Sequence, residues 1–211
     1  MDGIKIGIET SSKITRMGYM EENRIVEISM GAYHRHSEYI IEIWRMLEEH
    51  IKDKKIEFIA ISEGPGYFTS LRAGFSFAKA LWFKKKVDFV GVNTLDALAY
   101  PFLKENNNLV AFIEIKKDKV FWKKFVDGKE VEFKMGKTED VPLEKDFLYV
   151  GKDIDIEEKV KKCYPLEVPS IESIISIGEL LYEQGKFIDM EKKEPLYFYT
   201  PSYVKSFNQE S

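Results

Sequence analysis

The order in which strand and helix patterns follow one another limits most strongly what this chain can fold into. Ile4 to Glu9 alternates apolar and polar residues, as a strand with one buried face must. Met17 to Glu21 and Arg24 to Met30 repeat the pattern on either side of Glu22-Asn23, so three successive strands read as an antiparallel meander. Ser37 then offers an N-cap oxygen. Beyond it Tyr39, Ile40, Ile43, Trp44, Met46, Leu47 and Ile51 fall on one helical face, with Glu42, Arg45, Glu48 and Glu49 on the wet side. Phe58 to Ser62 has the length of a buried strand and is broken by Glu63-Gly64-Pro65-Gly66; Thr69 to Phe83 follows as a helix and Phe89 to Val92 as a fifth strand.

Three strands, then helix, strand, helix, strand, is the ribonuclease-H-like order, which places a mixed sheet between helices and fills residues 1 to about 100. After Pro101 and Asn106-Asn107-Asn108, strands are expected at Leu109 to Ile115, Lys119 to Val126 and Val131 to Lys134, with Asp127-Gly128 as the last turn. Phe147 to Val150 adds a strand, Asp155 to Lys162 a helix, and Ile171 to Gln184 a helix that stops at Gly185. These elements make a second, smaller lobe over residues 101–211, with a tail from about 195 that packs back on the first. Both lobes begin with strands, a structural duplication without a sequence repeat. The expected class is therefore α/β, two lobes of mixed sheet flanked by helices.

The 211 residues, 44% of them hydrophobic, suffice for such a pair of cores. Cys163 is the single cysteine, so neither an internal disulfide nor a paired-thiol zinc site is expected, and a reducing cytoplasm fits. No apolar run reaches about 18 residues and the start is not a basic-then-apolar leader, so neither export nor membrane anchoring is expected. With 32 basic and 36 acidic residues the net charge of −4 disfavours unaided RNA binding. The lysines at 84–86, at 116, 117 and 119, and at 161 and 162 read as solvated faces; the first group also suits the negative end of a helix.

Ser62-Glu63-Gly64-Pro65-Gly66-Tyr67-Phe68-Thr69-Ser70-Leu71-Arg72-Ala73-Gly74 closely resembles the Gly-Pro-Gly-Ser-Phe-Thr-Gly-Leu-Arg-hydrophobic-Gly signature of the TsaB (YeaZ) family. The matching loop residues are Gly64, Pro65, Gly66, Thr69 and Arg72. Ile8-Glu9-Thr10-Ser11, His36-Ser37-Glu38 and Gly91-Val92-Asn93-Thr94-Leu95 extend the likeness, and Lys119-Val120-Phe121-Trp122 and Glu194-Pro195-Leu196-Tyr197 echo it further on. The resemblance implies the actin/sugar-kinase/Hsp70-like (ASKHA) fold. It implies a non-catalytic subunit that dimerises with the catalytic paralogue TsaD to form threonylcarbamoyladenosine at tRNA position 37, joins a ternary complex with the ATPase TsaE, pairs with itself when alone, and meets tRNA only within the complex. ATP and a metal would belong to TsaD, and this chain would need no cofactor. In that paralogue two metal-binding histidines stand four apart after a Val-Asn step; Thr94 and Leu98 occupy the matching positions here, and leucine cannot ligate a metal.

The residues also carry their own reading. Two glycines around a proline turn a strand end into a helix start; the alternative is an anion held at the helix N-terminus with the Thr69 and Ser70 hydroxyls, although no Gly-Lys-Ser/Thr phosphate loop completes such a cradle. On a wheel begun at Leu71, the second helix shows only Arg72, Ser76 and Lys79 as a polar strip, wider cover than the roughly 100° stripe one sheet needs. A partner surface is therefore expected over Ser70, Ala73, Gly74, Phe77, Ala80 and Leu81, joined by Ile40, Ile41 and Trp44 of the first helix. Burial there is worth roughly 1.5–3 kcal/mol per large side chain, against roughly 4–15 kcal/mol lost on association. Residues 101–211 are the alternative cover.

Glu9 and Glu63 end neighbouring strands, so with Thr10 and Ser11 they are candidates for a residual nucleotide or divalent-cation site. His34 and His36 form a His-x-His pair that reads as a loop and a helix-entry histidine. A serine-histidine-acid group with a nucleophile elbow is not found. The competing function is a small ASKHA phosphotransferase, but Gly136, Gly151, Gly178 and Gly185 are isolated and give no adenosine-binding cluster; a nuclease would need more carboxylates and a basic face.

Overall fold

A computed structural model describes residues 3–31, 35–116, 119–152 and 154–196. Strands β1 (Ile4–Glu9), β2 (Ile14–Glu21) and β3 (Arg24–Gly31) form the meander, followed by α1 (His36–Ile51), β4 (Ile56–Gly64), α2 (Phe68–Lys85) and β5 (Asp88–Asn93). The sheet order is β3-β2-β1-β4-β5, antiparallel on the β1–β2–β3 side and parallel from β1 to β4 to β5. That is the ribonuclease-H-like sheet. Its alternation sorts the core: Ile4, Ile6, Ile8, Ile59, Ile61 and Phe89 face α1 and α2, while Phe58, Ala60, Val90 and Val92 face the opposite way.

Helix α3 (Thr94–Ala99), capped by the Asn93 carboxamide, leads to the second half. There β6 (Leu109–Lys116), β7 (Lys119–Val126), β8 (Lys129–Gly136), β9 (Leu148–Val150), α4 (Ile154–Glu157) and β10 (Cys163–Tyr164) build a sheet ordered β10-β9-β6-β7-β8. With β6, β7 and β8 antiparallel and β6, β9 and β10 parallel, it repeats the first sheet strand for strand. Two ribonuclease-H-like sheets in one chain make the ASKHA fold. Apolar clusters lie on both faces of this sheet, one against α3 and one beneath Val141, Tyr149 and Ile156.

The last helix, α5 (Ile171–Glu183), returns to the first sheet, where Gly178 lets it rest on Ala60 with no space for a Cβ, and Ile171 and Ile175 cover Gly7. A strap over residues 185–196 then follows the β5 edge: Ile188 N–H donates to Phe89 O at 2.8 Å and Leu196 N–H to Glu63 O at 2.8 Å. Residues 195 and 196 thus reach the first sheet; the rest of the expected tail lies outside the described residues. Several expectations change in detail. Helix α1 starts one residue before Ser37, with Arg35 as N-cap and an Arg35–Glu38 ion pair, so Ser37 is an exposed first-turn residue and not the cap. The helix expected over Asp155–Lys162 shrinks to α4 plus one turn held by Val160 N–H to Ile156 O at 3.2 Å. Among the described residues no helix is long and apolar enough to cross a membrane.

Candidate functional site

The loop Gly64–Tyr67 carries β4 into α2, and its glycines are fixed by what they touch. Gly64 has φ +108°, a conformation that strongly favours glycine. Gly66 lies against the Ser11 backbone with no room for a Cβ, and Tyr67 N–H donates to Ser11 O at 2.8 Å. Two turns into α2, Gly74 meets Thr10 in the same way. The turn Thr10-Ser11-Ser12 at the end of β1 is consequently wholly buried beneath the loop and helix.

Of the two hydroxyls in the first turn of α2, that of Ser70 is turned into the core and away from any anion at the helix start. Ser70 Oγ lies 2.9 Å from His36 Nε2, and His36 Nδ1 lies 2.9 Å from Thr15 Oγ1, all three residues being buried. The chain Thr15–His36–Ser70 ties β2, α1 and α2 together, which is the role of His36; His34 lies outside the described residues. A serine and a histidine in bonding contact resemble a catalytic dyad, but the third member is a hydroxyl, not an acid, and Ser70 is shut off from any substrate carbonyl. Sequence reasoning missed this pair because its members stand 34 positions apart. Thr69 and Arg72 are exposed, with the Arg72 guanidinium over the Phe68 ring at 5.4 Å.

Glu9 and Glu63 do not converge. Glu9 shares the α5 side of the sheet with Ser62, is completely buried, and accepts both the Ser11 N–H and the Ser11 hydroxyl on Oε1; among the described residues Oε2 has no hydrogen-bond partner. Burial pushes this carboxyl above the usual range, and the Ser11 hydrogen bonds only partly oppose it. Glu63 follows Ser62 by one residue, so it leaves the other face of the strand, packs over Gly91 and pairs with Lys193 at 2.7 Å. The expected two-carboxylate cation site is therefore not assembled, and among the described residues no group of three or more histidine, cysteine or acidic side chains is placed to hold a metal. Thr94 and Leu98 are both fully buried, Leu98 in the apolar cluster under the second sheet. Burial pushes the Cys163 thiol up to about 11, which leaves it protonated and unreactive near neutral pH.

The broad apolar arc of α2 is mostly covered by its own chain, contrary to the wheel. The sheet takes Leu71, Phe75 and Ala78; α1 takes one flank, with Trp44 and Phe77 ring centroids 5.7 Å apart; the strap takes the other, through Met190 in the same core and Lys79–Glu194 at 2.8 Å. Of the nine expected interface residues, Ile40, Trp44, Ser70, Gly74 and Leu81 are buried inside the molecule and present no surface. Ala73 and Phe77 are half-buried and Ala80 is exposed. Ile41 at 46% and Phe83 at 74% exposure widen the outward apolar surface of α1 and α2, while Met46, exposed as well, lies on the flank of α1 away from α2.

Comparison with known proteins places this fold. The family described as TsaD, tRNA N6-adenosine threonylcarbamoyltransferase, matches residues 30–172, more than half of the chain. The chain belongs to that family. Within it, the likeness that runs end to end is to TsaB: the tRNA threonylcarbamoyladenosine biosynthesis protein TsaB of Buchnera aphidicola subsp. Schizaphis graminum is 25% identical over 203 residues, 94% of this chain and 93% of that one. The tRNA N6-adenosine threonylcarbamoyltransferase of Fervidobacterium nodosum is 30% identical over 127 residues, but these are 48% of this chain and 37% of the transferase. The chain thus spans little more than a third of the length of that transferase, and membership in the TsaD family here means its TsaB branch. The YeaZ structure from Pseudomonas aeruginosa superposes with a TM-score of 0.79 at 19% identity, over 93% of this chain and 100% of the other, which establishes a shared fold.

Proposed function

We propose that this chain is a non-catalytic subunit in the formation of threonylcarbamoyladenosine on tRNA, and that it docks on a TsaD subunit through the outward faces of α1 and α2. The observation that carries this reading is the closed end of β1. Gly66 and Gly74 seat α2 directly on Thr10-Ser11-Ser12, which is wholly buried and leaves no space at the end of β1 for a phosphate. The replacement of the paralogue's metal-binding histidines by Thr94 and Leu98 points the same way. ATP and metal are supplied by the partner, and this chain needs no cofactor of its own.

Ile41, Phe77, Ala80 and Phe83 offer apolar area for a second pair of helices, with Ala80 small enough for close approach. The area these side chains still expose amounts to about two full burials at roughly 1.5–3 kcal/mol each, so the roughly 4–15 kcal/mol cost of association is offset only together with the apolar area that the partner's own helices bury. The same face serves a homodimer when TsaD is absent, and TsaE and tRNA join the assembled complex. The test is co-purification with TsaD. Ile41→Arg and Ala80→Arg, both at exposed positions, should leave the circular dichroism spectrum and yield unchanged and abolish the complex. Recovery of either variant with TsaD at the wild-type ratio overturns the interface, and ATP turnover by the isolated chain overturns the non-catalytic assignment.

A further inference from the structure

The strap that guards the β5 edge leaves a gap in it. Ile188 N–H closes on Phe89 O, and the next bond back to the sheet is Leu196 N–H to Glu63 O. Between them the strap turns outward, with Lys193 N–H donating to Asp189 O at 2.8 Å. Backbone groups alternate along a strand, so Gly91 directs its N–H and C=O to the same edge as the Phe89 carbonyl. No other segment among the described residues bonds them. An opening of about 610 Å³ stands over this stretch, within the range of sites that take ligands. The Glu63 carboxylate and the end of Ile188 lie over the face of Gly91, whereas its N–H and C=O point in the plane of the sheet toward the opening.

The walls of the gap have a definite chemistry. Leu181, Phe187 and Ile188 supply an apolar side, with Phe187 52% exposed. The rim carries Lys186, Lys192 and Lys193. Lys193 is neutralised by Glu63 at 2.7 Å and Lys192 by Asp189 at 3.4 Å, while Lys186 has no ion-pair partner among the described residues. Among the described residues the opening therefore combines an unbonded donor and acceptor on one strand residue, an apolar wall and one cation without an ion-pair partner.

We propose that the β5 edge at Gly91 is a docking site for a short extended segment of a partner protein that carries an acidic side chain beside an apolar one. The segment's C=O and N–H pair with Gly91, its apolar side chain packs on Leu181 and Phe187, and its carboxylate meets Lys186, as in other additions of a strand to an exposed edge. The contact uses none of Ile41, Ala80 or Phe83, so it stands or falls independently of docking through α1 and α2.

The test follows backbone amides of the full chain by NMR while a blocked Val-Glu-Leu-Glu-Val pentapeptide is added, with Val-Lys-Leu-Lys-Val as control. The acidic peptide should shift the Gly91 resonance saturably with Kd near 1 mM, an affinity usual for a few contacts, and the lysine peptide should not. Lys186→Glu should weaken the acidic peptide about tenfold, and Phe187→Ser should weaken it with charge unchanged. The site is overturned if Gly91 does not shift, if both peptides shift it equally, or if the shift survives both substitutions. Slow exchange of the Gly91 amide in the free chain, or a stronger response to an oligouridine than to the acidic peptide, also overturns it.

Discussion

His36 Nε2 stands 2.9 Å from Ser70 Oγ, which fastens the first residue of α1 to the first turn of α2 inside the core. Both residues are buried, so the contact joins the two helices within the core. Replacing Ser70 by Ala takes from the imidazole a hydrogen bond that buried surroundings do not return as water. The expected loss is about 1–3 kcal/mol of stability, read as a lower urea midpoint with an unchanged slope.

Gly74 against Thr10 is a second contact in which the family motif serves packing. Gly74→Ala inserts a methyl group where Thr10 Oγ1 already sits, at a cost of about 1–3 kcal/mol for overpacking. Thr10 Oγ1 has no hydrogen-bond partner among the described residues, so Thr10→Ala removes the obstacle and an unsatisfied hydroxyl together. The double variant should therefore be more stable than Gly74→Ala alone. A double-mutant cycle by urea unfolding measures the coupling, and simple additivity would mean that the methyl clashes with something else.

Much of this architecture was legible in the order of alternating and helical patterns. That order placed β1 beside β4 and anticipated a repeated lobe, because strand period and turn residues are local properties of sequence. The facing of the site was not legible. Glu9 and Glu63 end adjacent strands as expected, yet their positions differ by one residue in register, and one residue reverses the face. The apolar width of α2 is legible, but its cover is not: of the two covers the sequence leaves open, a partner and residues 101–211, the second supplies one flank and α1 the other. A helical wheel does not show that Met190 and Glu194, more than a hundred positions away, lie along that helix, nor that Trp44 closes its other flank. The Ser70–His36 contact is illegible for the same reason, its members standing 34 positions apart. Two-residue β10 carries too little pattern to announce itself.

Lys123 is a charged residue inside the second sheet's apolar face, held by Asp96 of α3 at 2.8 Å and Glu130 of β8 at 2.9 Å. Asp96 is rooted beside β5, so the pair joins the segment that leaves the first sheet to the face of the second. Lys123→Ala strips the cation from two carboxylates that keep some access to solvent, and should cost about 1–3 kcal/mol, below the full penalty for a sealed pair. Lys123→Met keeps most of the packing volume and should recover part of the loss. Equal stability of the two variants would show that the charge, not the stem, accounts for the effect.

Glu9 sets a pH dependence whose sign follows from its burial. Desolvation raises its carboxyl above the ordinary 4.5, so the folded chain binds this proton more tightly than the unfolded chain does. A site of that kind favours folding while it stays protonated, and its contribution is lost as pH rises from the unfolded value through the folded one. Asp96 is raised by burial as well, with Lys123 opposing, and acts in the same direction; Glu132, lowered by Lys134 and the Trp122 N–H, acts in the other. Glu9→Gln keeps an oxygen for Ser11 and removes the titration. Urea midpoints at about pH 5 and about pH 8 should therefore differ less in Glu9→Gln than in the wild type, the wild type losing more on going to the higher pH. An identical pH difference in the two proteins would mean that Glu9 is ionised throughout and that an interior water or a hydroxyl supports its second oxygen.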